Sequence, residues 1–563
     1  MRRTIFTLFL ATFGTAGCAL VYGVGDYHVV DAVADGALDA ESGASDPDGA
    51  LPDGALPPEC TTNAECIARA AKEGPRDAGA DADAAALVLD GGVIPAVCVK
   101  ATGRCQRLLT PECTTVSGDW ANEDAVLLAT LFATVGTTAR TNIARQRSAL
   151  LAAEEINSTL GGGGLPPAKA GGPVRPLAVL SCETVTSLIR AATHLVEDLH
   201  VPAVIGPNLT QDTIDVTTKI SAKGGTLLMS PAATSSAVAG LADQNLTWTS
   251  VPSDTQRAKL IIRSVSDLET ALHPARGNNL KLAIVYRDDA FGQSTYSSVS
   301  GSLTFNTKPI ADAANATYVR TYKYLPSSVQ TQTDAAAAVA ATKPDVVLLF
   351  GTSESVTNVL YPLEVAMETN EPGDAVRPYY VLIDPNKVKE LTDGLGSAAI
   401  STVSPLRPRV RGVGTTPEAT SVPVFAEFNS AYLSRYGDNP RAPSMGPSYD
   451  SMYALAFAIA ATSNEAVTGK SVARGLAGLG TGKEVAIGRT STLSNFQKLS
   501  SGQAINPVGT FSHLKWDMAG TIVEGNLEVW CIGLAAGVPA YASSGITMDV
   551  ASQSVGGAYA QCN

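Results

Sequence analysis

Between Asp124 and Ile383, short apolar runs alternate with amphipathic stretches, and this alternation leaves few architectures open to the chain. Ala125–Ala133 (AVLLATLFA) is apolar along its whole length, as a strand buried on both faces must be. In the next stretch, Asn142–Asn157, Ala149, Ala152, Ala153 and Ile156 recur at helical spacing. The cycle repeats with strands at Pro176–Cys182, Pro202–Gly206, Thr226–Ser230, Leu282–Tyr286, Asp345–Phe350 and Tyr379–Ile383. Between them lie helical stretches: one with an apolar stripe from Leu188 to Leu199, then Asp212–Ala222, Thr255–Leu272, and two beginning at Phe291 and Glu354. Strands and helices in strict alternation imply an α/β protein with parallel sheets covered by helices on both faces. Ligands of such sheets bind beyond the carboxyl ends of the strands.

The residues at those ends are small or hydroxylated. They read Gly206-Pro207-Asn208-Leu209-Thr210, Ser230-Pro231-Ala232-Ala233-Thr234, Gly351-Thr352-Ser353-Glu354 and Asp384-Pro385. Small side chains let backbone approach a ligand, and hydroxyls with helix N-terminal N–H groups can hold a carboxylate or similar polar group. Any one of these segments is also what a plain helix cap favours. Four of them at strand ends point to a site.

Six segments then carry a resemblance when read in order. They are Ala153-Glu154-Glu155-Ile156-Asn157 with the glycine run that follows, His200-Val201-Pro202-Ala203-Val204-Ile205-Gly206-Pro207, Leu228-Met229-Ser230-Pro231-Ala232-Ala233-Thr234 and Val251-Pro252-Ser253-Asp254-Thr255-Gln256. Ala283 to Gln293 (AIVYRDDAFGQ) and Ser448 to Ala454 (SYDSMYA) complete the set. Over about residues 124–533 the chain resembles the type I periplasmic binding proteins, in particular the leucine/isoleucine/valine-binding group that serves branched-chain amino acid ABC transporters. The resemblance implies two Rossmann-like lobes with parallel sheets, joined by a hinge of three chain crossings. A ligand would sit in the cleft, and the lobes would close on it. Lobe one would be 124–252 with 416–507, and lobe two 253–415 with 508–533. By the same resemblance Thr210, Ala232 and Thr234 would hold a ligand carboxylate, Phe291 would supply an aromatic contact, and Asp384 would pair with an ammonium. Ser353 stands where the family often places an aromatic group. Asp254 reads as a helix cap at the hinge.

The N-terminus reads as an export signal. Met1-Arg2-Arg3 precedes an apolar run from Thr4 to Thr15 and then Thr15-Ala16-Gly17-Cys18. The run is too short to span a hydrocarbon core of ~30 Å. Small residues directly before a Cys resemble a bacterial lipobox, which would make 1–17 a lipoprotein signal peptide and Cys18 a lipidated first residue; an ordinary signal ending beside a chance Cys is the other reading. The lipoprotein reading puts the chain in the cell envelope, anchored by lipid on the periplasmic or outer-surface side. Residues 18–58 then form an anchor and tether. Eight acids and no Lys or Arg lie between Asp26 and Asp53, in a stretch with almost no large apolar side chain. Such a segment buries too little surface to offset chain entropy. It lacks the D-x-D-x-D-G order of a calcium loop.

A Cys-rich neck, 59–123, follows, with Cys60, Cys66, Cys98, Cys105 and Cys113. There is no C-x-x-C pair of the kind zinc favours, and export favours disulfides. Apart from Cys18 the chain has eight Cys, these five with Cys182, Cys531 and Cys562. Cys531 and Cys562 are expected to staple a C-terminal tail, 534–563; the pairing of the other six stays open. Residues 75–92, rich in Ala, Asp and Gly, are expected as a loop.

Chemistry-bearing motifs are scarce. The five His residues show no H-E-x-x-H spacing and no G-x-S-x-G elbow occurs. Gly480-Thr481-Gly482-Lys483 has Ala477 and Glu484 where a phosphate loop needs Gly and Ser or Thr. No cofactor or metal motif remains, and the expectation is a binding protein rather than an enzyme. A net charge of −13 argues against nucleic acid. Two functions compete: a solute-binding lipoprotein handing a small polar ligand, an amino acid among the candidates, to an ABC permease, and a ligand sensor that contacts an envelope protein. The neck favours the second, because delivery to a transporter needs none.

Overall fold

In a computed structural model, the described residues are 58–74, 88–89, 92–136, 138–159, 163–373, 376–395, 404–560 and 562. The export signal, Cys18, the acidic tether to residue 57 and most of the expected loop at 75–92 lie outside them. Residues 58–563 form one compact unit built on two sheets. No helix among the described residues is long and apolar enough to cross a membrane.

The first sheet has six strands: β1 (Cys113–Ser117), β2 (Val126–Phe132), β3 (Leu177–Glu183), β4 (Ala203–Ile205), β5 (Leu227–Ser230) and β6 (Thr247–Thr249). Their order is β1-β3-β2-β4-β5-β6, parallel throughout except for β1, which pairs antiparallel with β3 at the edge. Every residue of β3 is buried, and six of the seven in β2, which is why their sequences run apolar without alternation. Helix Ala139–Asn157 lays Ala149, Ala152, Ala153 and Ile156 into this core. Behind it stands helix Met445–Ala461, buried from Met445 to Ala460. A helix buried all round is mostly apolar, and this one reads MGPSYDSMYALAFAIAA, with its buried Asp450 bonded to Thr510. Its two tyrosines, Tyr449 and Tyr453, donate to the buried Glu155 carboxylate at 2.5 and 2.7 Å.

The second sheet has eight strands: β7 (Leu282–Arg287), β8 (Val319–Tyr324), β9 (Val346–Phe350), β10 (Tyr379–Ile383), β11 (Val410–Thr416), β12 (Asn526–Ala535), β13 (Val538–Asp549) and β14 (Val555–Gly556). The order is β8-β7-β9-β10-β11-β12-β13-β14. The strands from β8 to β11 are parallel and the last three add antiparallel. Beyond residue 533 the chain is built into the second sheet: it carries the last two residues of β12 and all of β13 and β14, and Cys562 is bonded to Cys531 in β12. The strand β13 went unseen in the sequence because it is half-exposed and made of small and polar residues, VPAYASSGITMD.

The chain passes between the sheets three times, after β6, after β11, and between Val508 and Asn526. The α/β fold of two Rossmann-like lobes with a three-crossing hinge is what the structure displays. The crossings are bonded to one another. Thr249 N–H donates to Gly520 O at 2.8 Å, Glu418 N–H to Phe511 O at 3.0 Å, and Gln256 Nε2 to Ile522 O at 3.1 Å. The neck is stapled by Cys60–Cys98 and Cys66–Cys105, and Cys113–Cys182 ties β1 to β3. Leu108 and Leu109 pack into the lobe-one core beside Leu195 and Val196, so the neck is docked on that lobe.

Candidate functional site

A cavity of about 600 Å³ opens between the lobes, at the carboxyl ends of the parallel strands. That size suits a small molecule. Lobe one supplies Ala133, Thr138, Asn142, Arg145, Asn208 and Leu209. Lobe two supplies Arg287, Gln332, Thr352, Ser353, Glu354 and Asn358.

Two buried arginines define its electrostatics, and they differ. Arg287 at the end of β7 is neutralised in place. Its Nε and Nη2 donate to Asp289 Oδ2 at 2.9 and 2.7 Å, and its Nη1 reaches Thr352 Oγ1 and Glu354 Oε1 at 3.0 and 3.2 Å. Burial works against its charge, but Glu354 and Asp289 outweigh burial and hold its pKa above the ordinary value. Glu354 is itself fixed by the Tyr324 hydroxyl at 3.0 Å and by Thr352.

Arg145 has no such partner. Among the described residues its hydrogen bonds go to neutral acceptors: Nε to Pro443 O at 2.9 Å and Nη1 to Asn142 Oδ1 at 2.8 Å. Asn142 is in turn pinned to Ala133 O and Thr138 Oγ1. Burial pushes the Arg145 guanidinium down to about 10, with Asp384 in lobe two opposing it. A fixed, buried, unneutralised guanidinium in a cavity wall is a ready partner for an anionic group. Asp212, on helix Thr210–Val216, faces the other lobe; burial and the neighbouring Asp215 push its carboxyl up to about 6, while Arg287 pulls the other way.

The structure disperses the six positions taken from the resemblance. Ser353 lines the cavity. Thr210 and Asp384 adjoin the wall residues Leu209 and Pro385. The Asp384 carboxylate accepts from Thr415 N and Oγ1, both at 3.0 Å. Ala232 and Thr234 lie on the loop after β5, where Thr234 borders a separate pocket of about 60 Å³. The side-chain oxygens of Thr210 and Thr234 are buried and, among the described residues, without a hydrogen-bond partner. Ser230 Oγ locks this loop to its neighbour, donating to Pro207 O at 2.6 Å while accepting from Ala233 N. Gly206, which opens the neighbouring loop at φ +116°, could carry no side chain, since a Cβ would stand 2.2 Å from Leu131 O. Phe291 is packed in the lobe-two core with Val299 and Phe350. Sequence reasoning missed Asn142, Arg145 and Arg287. The one available signal was Arg287, charged at the carboxyl end of an apolar strand.

With this geometry in hand, solved structures give a clear likeness. One is LivJ of Streptococcus pneumoniae, a branched-chain amino acid transporter substrate-binding protein solved with isoleucine; it is 16% identical, with a TM-score of 0.51 over 74% of this chain and 99% of that one. The leucine-binding protein LivK of Thermotoga maritima is 13% identical, with a TM-score of 0.51 over 74% and 98%. A solute-binding protein of an ABC transporter from Rhodopseudomonas palustris BisB5, solved with 3,4-dihydroxybenzoic acid, is 14% identical, with a TM-score of 0.53 over 76% and 98%. This chain has the type I periplasmic binding protein fold. No family model and no curated protein sequence matches it. Each structural match leaves about a quarter of the chain uncovered.

Proposed function

We propose that this protein is an exported solute-binding lipoprotein that captures a small polar molecule in the interlobe cavity for ABC-type import. The observation that carries the reading is Arg145, buried in the cavity wall and left without a carboxylate among its hydrogen-bond partners. It suits a ligand with a carboxylate, and the hydroxyl and amide groups of Thr138, Thr352, Ser353 and Asn358 suit further polar groups. Amino acids and aromatic acids are the candidates, because proteins of this fold have been solved with isoleucine and with 3,4-dihydroxybenzoic acid. On this reading the chain performs no catalysis. Cys18 carries the lipid, the acidic segment after it is the tether, and the partner is a permease on the membrane.

Thermal-shift and calorimetric screening of the mature chain against amino acids and aromatic acids tests the reading. A ligand at 100 times its Kd stabilises the fold by ~2.7 kcal/mol, which a melt resolves. Arg145→Met should then weaken the bound solute at least tenfold. A broad library that gives no shift at all would count against solute binding.

One observation favours a second reading, in which the same cavity serves a ligand sensor docked to an envelope protein. The neck is disulfide-stapled and packed on lobe one, an investment that delivery alone does not explain. Capture from membranes separates the two: a permease supports import, and an envelope enzyme or receptor supports sensing.

A further inference from the structure

The neck does more than sit on lobe one, because a second cavity of about 620 Å³, as large as the interlobe one, opens between the two. It lies at the opposite ends of the strands, under the start of β2 and β4. The neck contributes Asn63 and Val97 to Ala101, and the linking segment contributes Trp120 and Asn122 to Leu127. Lobe one closes it with Arg175, Ala178, Leu199 to Pro202, and Glu465 to Thr468. Most of this wall is apolar.

Among its polar residues, Arg175 is the buried cation. Only 6% of it is exposed. Its backbone is paired with Leu165 in both directions, which fixes where the side chain starts. Its Nε donates to Pro166 O at 2.8 Å, while Nη2 is buried and, among the described residues, has no hydrogen-bond partner. The charged groups around the cavity do not complete it. Glu123 is engaged by Asn63 N–H, and Lys100 Nζ is turned onto the Glu123 carbonyl. Glu465 pairs with Arg474, and His200 stands exposed at the rim. Asp124 acts on Arg175 through space and partly offsets the burial that lowers its pKa. A buried guanidinium with an unmet donor is costly unless a partner arrives.

We propose that this cavity is a second ligand site, which takes a small carboxylate with an apolar body. The carboxylate meets Arg175, and the body lies against Val97, Val99, Trp120, Val126 and Val201. The site is independent of the interlobe cavity and is shared between the neck and lobe one.

The experiment is calorimetry on the full mature chain with octanoate, and with octylammonium as the charge-reversed control. Octanoate is expected to bind and octylammonium to bind at least tenfold more weakly. Arg175→Met should weaken octanoate at least tenfold. Ala466→Trp provides a second variant: Ala466 is exposed at the cavity wall, so a large side chain there obstructs entry without entering the core. It should also cost at least tenfold, and it decides the matter if Arg175→Met does not fold. The proposal is overturned if neither probe binds at millimolar concentration, if both bind equally, or if Arg145→Met rather than Arg175→Met abolishes octanoate binding.

Discussion

Asp450→Asn should remove a pH-dependent penalty from the fold. Asp450 lies on the buried helix Met445–Ala461 and is 4% exposed. It accepts from Thr510 N at 2.9 and 3.0 Å and from Thr510 Oγ1 at 2.8 Å, and Thr510 belongs to the third crossing between the lobes. Burial raises its carboxyl from 3.8 to about 7, with the Thr510 bonds opposing and no charged group contributing. The folded state therefore holds this proton more tightly than the unfolded chain does. Its contribution is fully present below pH 4 and is lost as the pH rises towards 7. A shift of this size corresponds to about 4 kcal/mol, at 1.36 kcal/mol per unit. Asparagine can still accept from Thr510 N–H and donate to its hydroxyl, at a cost of about 1 kcal/mol for altered bonding. The variant should match the parent or fall slightly below it at pH 4.5, and exceed it by about 2–4 kcal/mol at pH 8. Urea unfolding of both proteins at pH 4.5, 6 and 8 measures this. Glu155 and Asp254 are also raised by burial, but they are present in both proteins and cancel in the difference. A stability difference that does not change between pH 4.5 and 8 would refute the reasoning.

Glu364→Gln should destabilise lobe two by about 3–5 kcal/mol in denaturant titrations, because Arg409 would keep its charge but lose its counter-charge and one bond of a buried bidentate pair, with an amide NH2 turned against it. The Cys113→Ala, Cys182→Ala double variant opens a disulfide spanning 69 residues, and should lower unfolding free energy by about 4 kcal/mol in the chain-entropy account; a loss under 1 kcal/mol would show that β1 is held by other means. Gly292→Ala should weaken a solute bound in the interlobe cavity about tenfold, roughly 1.4 kcal/mol by calorimetry, since its Cβ would stand 2.2 Å from Arg287 O and displace that residue. Unchanged affinity with a normal melt would remove Arg287 from the site.

How much of this was legible in the sequence depended on what each segment is buried against. Val126–Phe132 and Val346–Phe350 are buried on both faces, and composition alone exposes them as central strands. Val319–Tyr324 (VRTYKY) is a parallel strand too, but it forms the sheet edge with only Tyr324 fully buried, and its charges hide it. The disulfides Cys60–Cys98, Cys66–Cys105 and Cys113–Cys182 are one of fifteen pairings that six Cys allow, and only the docking of the neck selects it. The cavity was half legible. Ser353 follows a strand, as ligand contacts in such sheets do, and it lines the wall. Phe291 follows a strand as well, but its ring turns into the core beneath. Arg145 was invisible because an arginine within a helix reads as solvated surface. Its guanidinium is bonded to Pro443, some three hundred positions later in the chain, a contact no local pattern reveals.

The charges of the interlobe cavity explain why closing and binding should be coupled. Each lobe contributes one arginine, but only lobe two brings carboxylates that neutralise its own, Asp289 and Glu354. Lobe one leaves Arg145 with neutral acceptors, and the carboxylate that acts on it, Asp384, belongs to the other lobe. Asp212 in lobe one feels both members of the Arg287–Asp289 pair, one attracting it and the other repelling it. The Arg145–Asp384 attraction exists only while the lobes are near, so it favours the closed form over the open one. A bound anion would strengthen this preference only through contacts with both lobes at once, because a ligand shifts an equilibrium by its difference in affinity between the two states. Arg145 on one side and the Thr352, Ser353 and Asn358 side chains on the other provide such a pair of surfaces. A ligand held by Arg145 alone would occupy lobe one without closing the molecule. On the proposed reading, the solute therefore carries an acceptor for Arg145 and reaches across to lobe two.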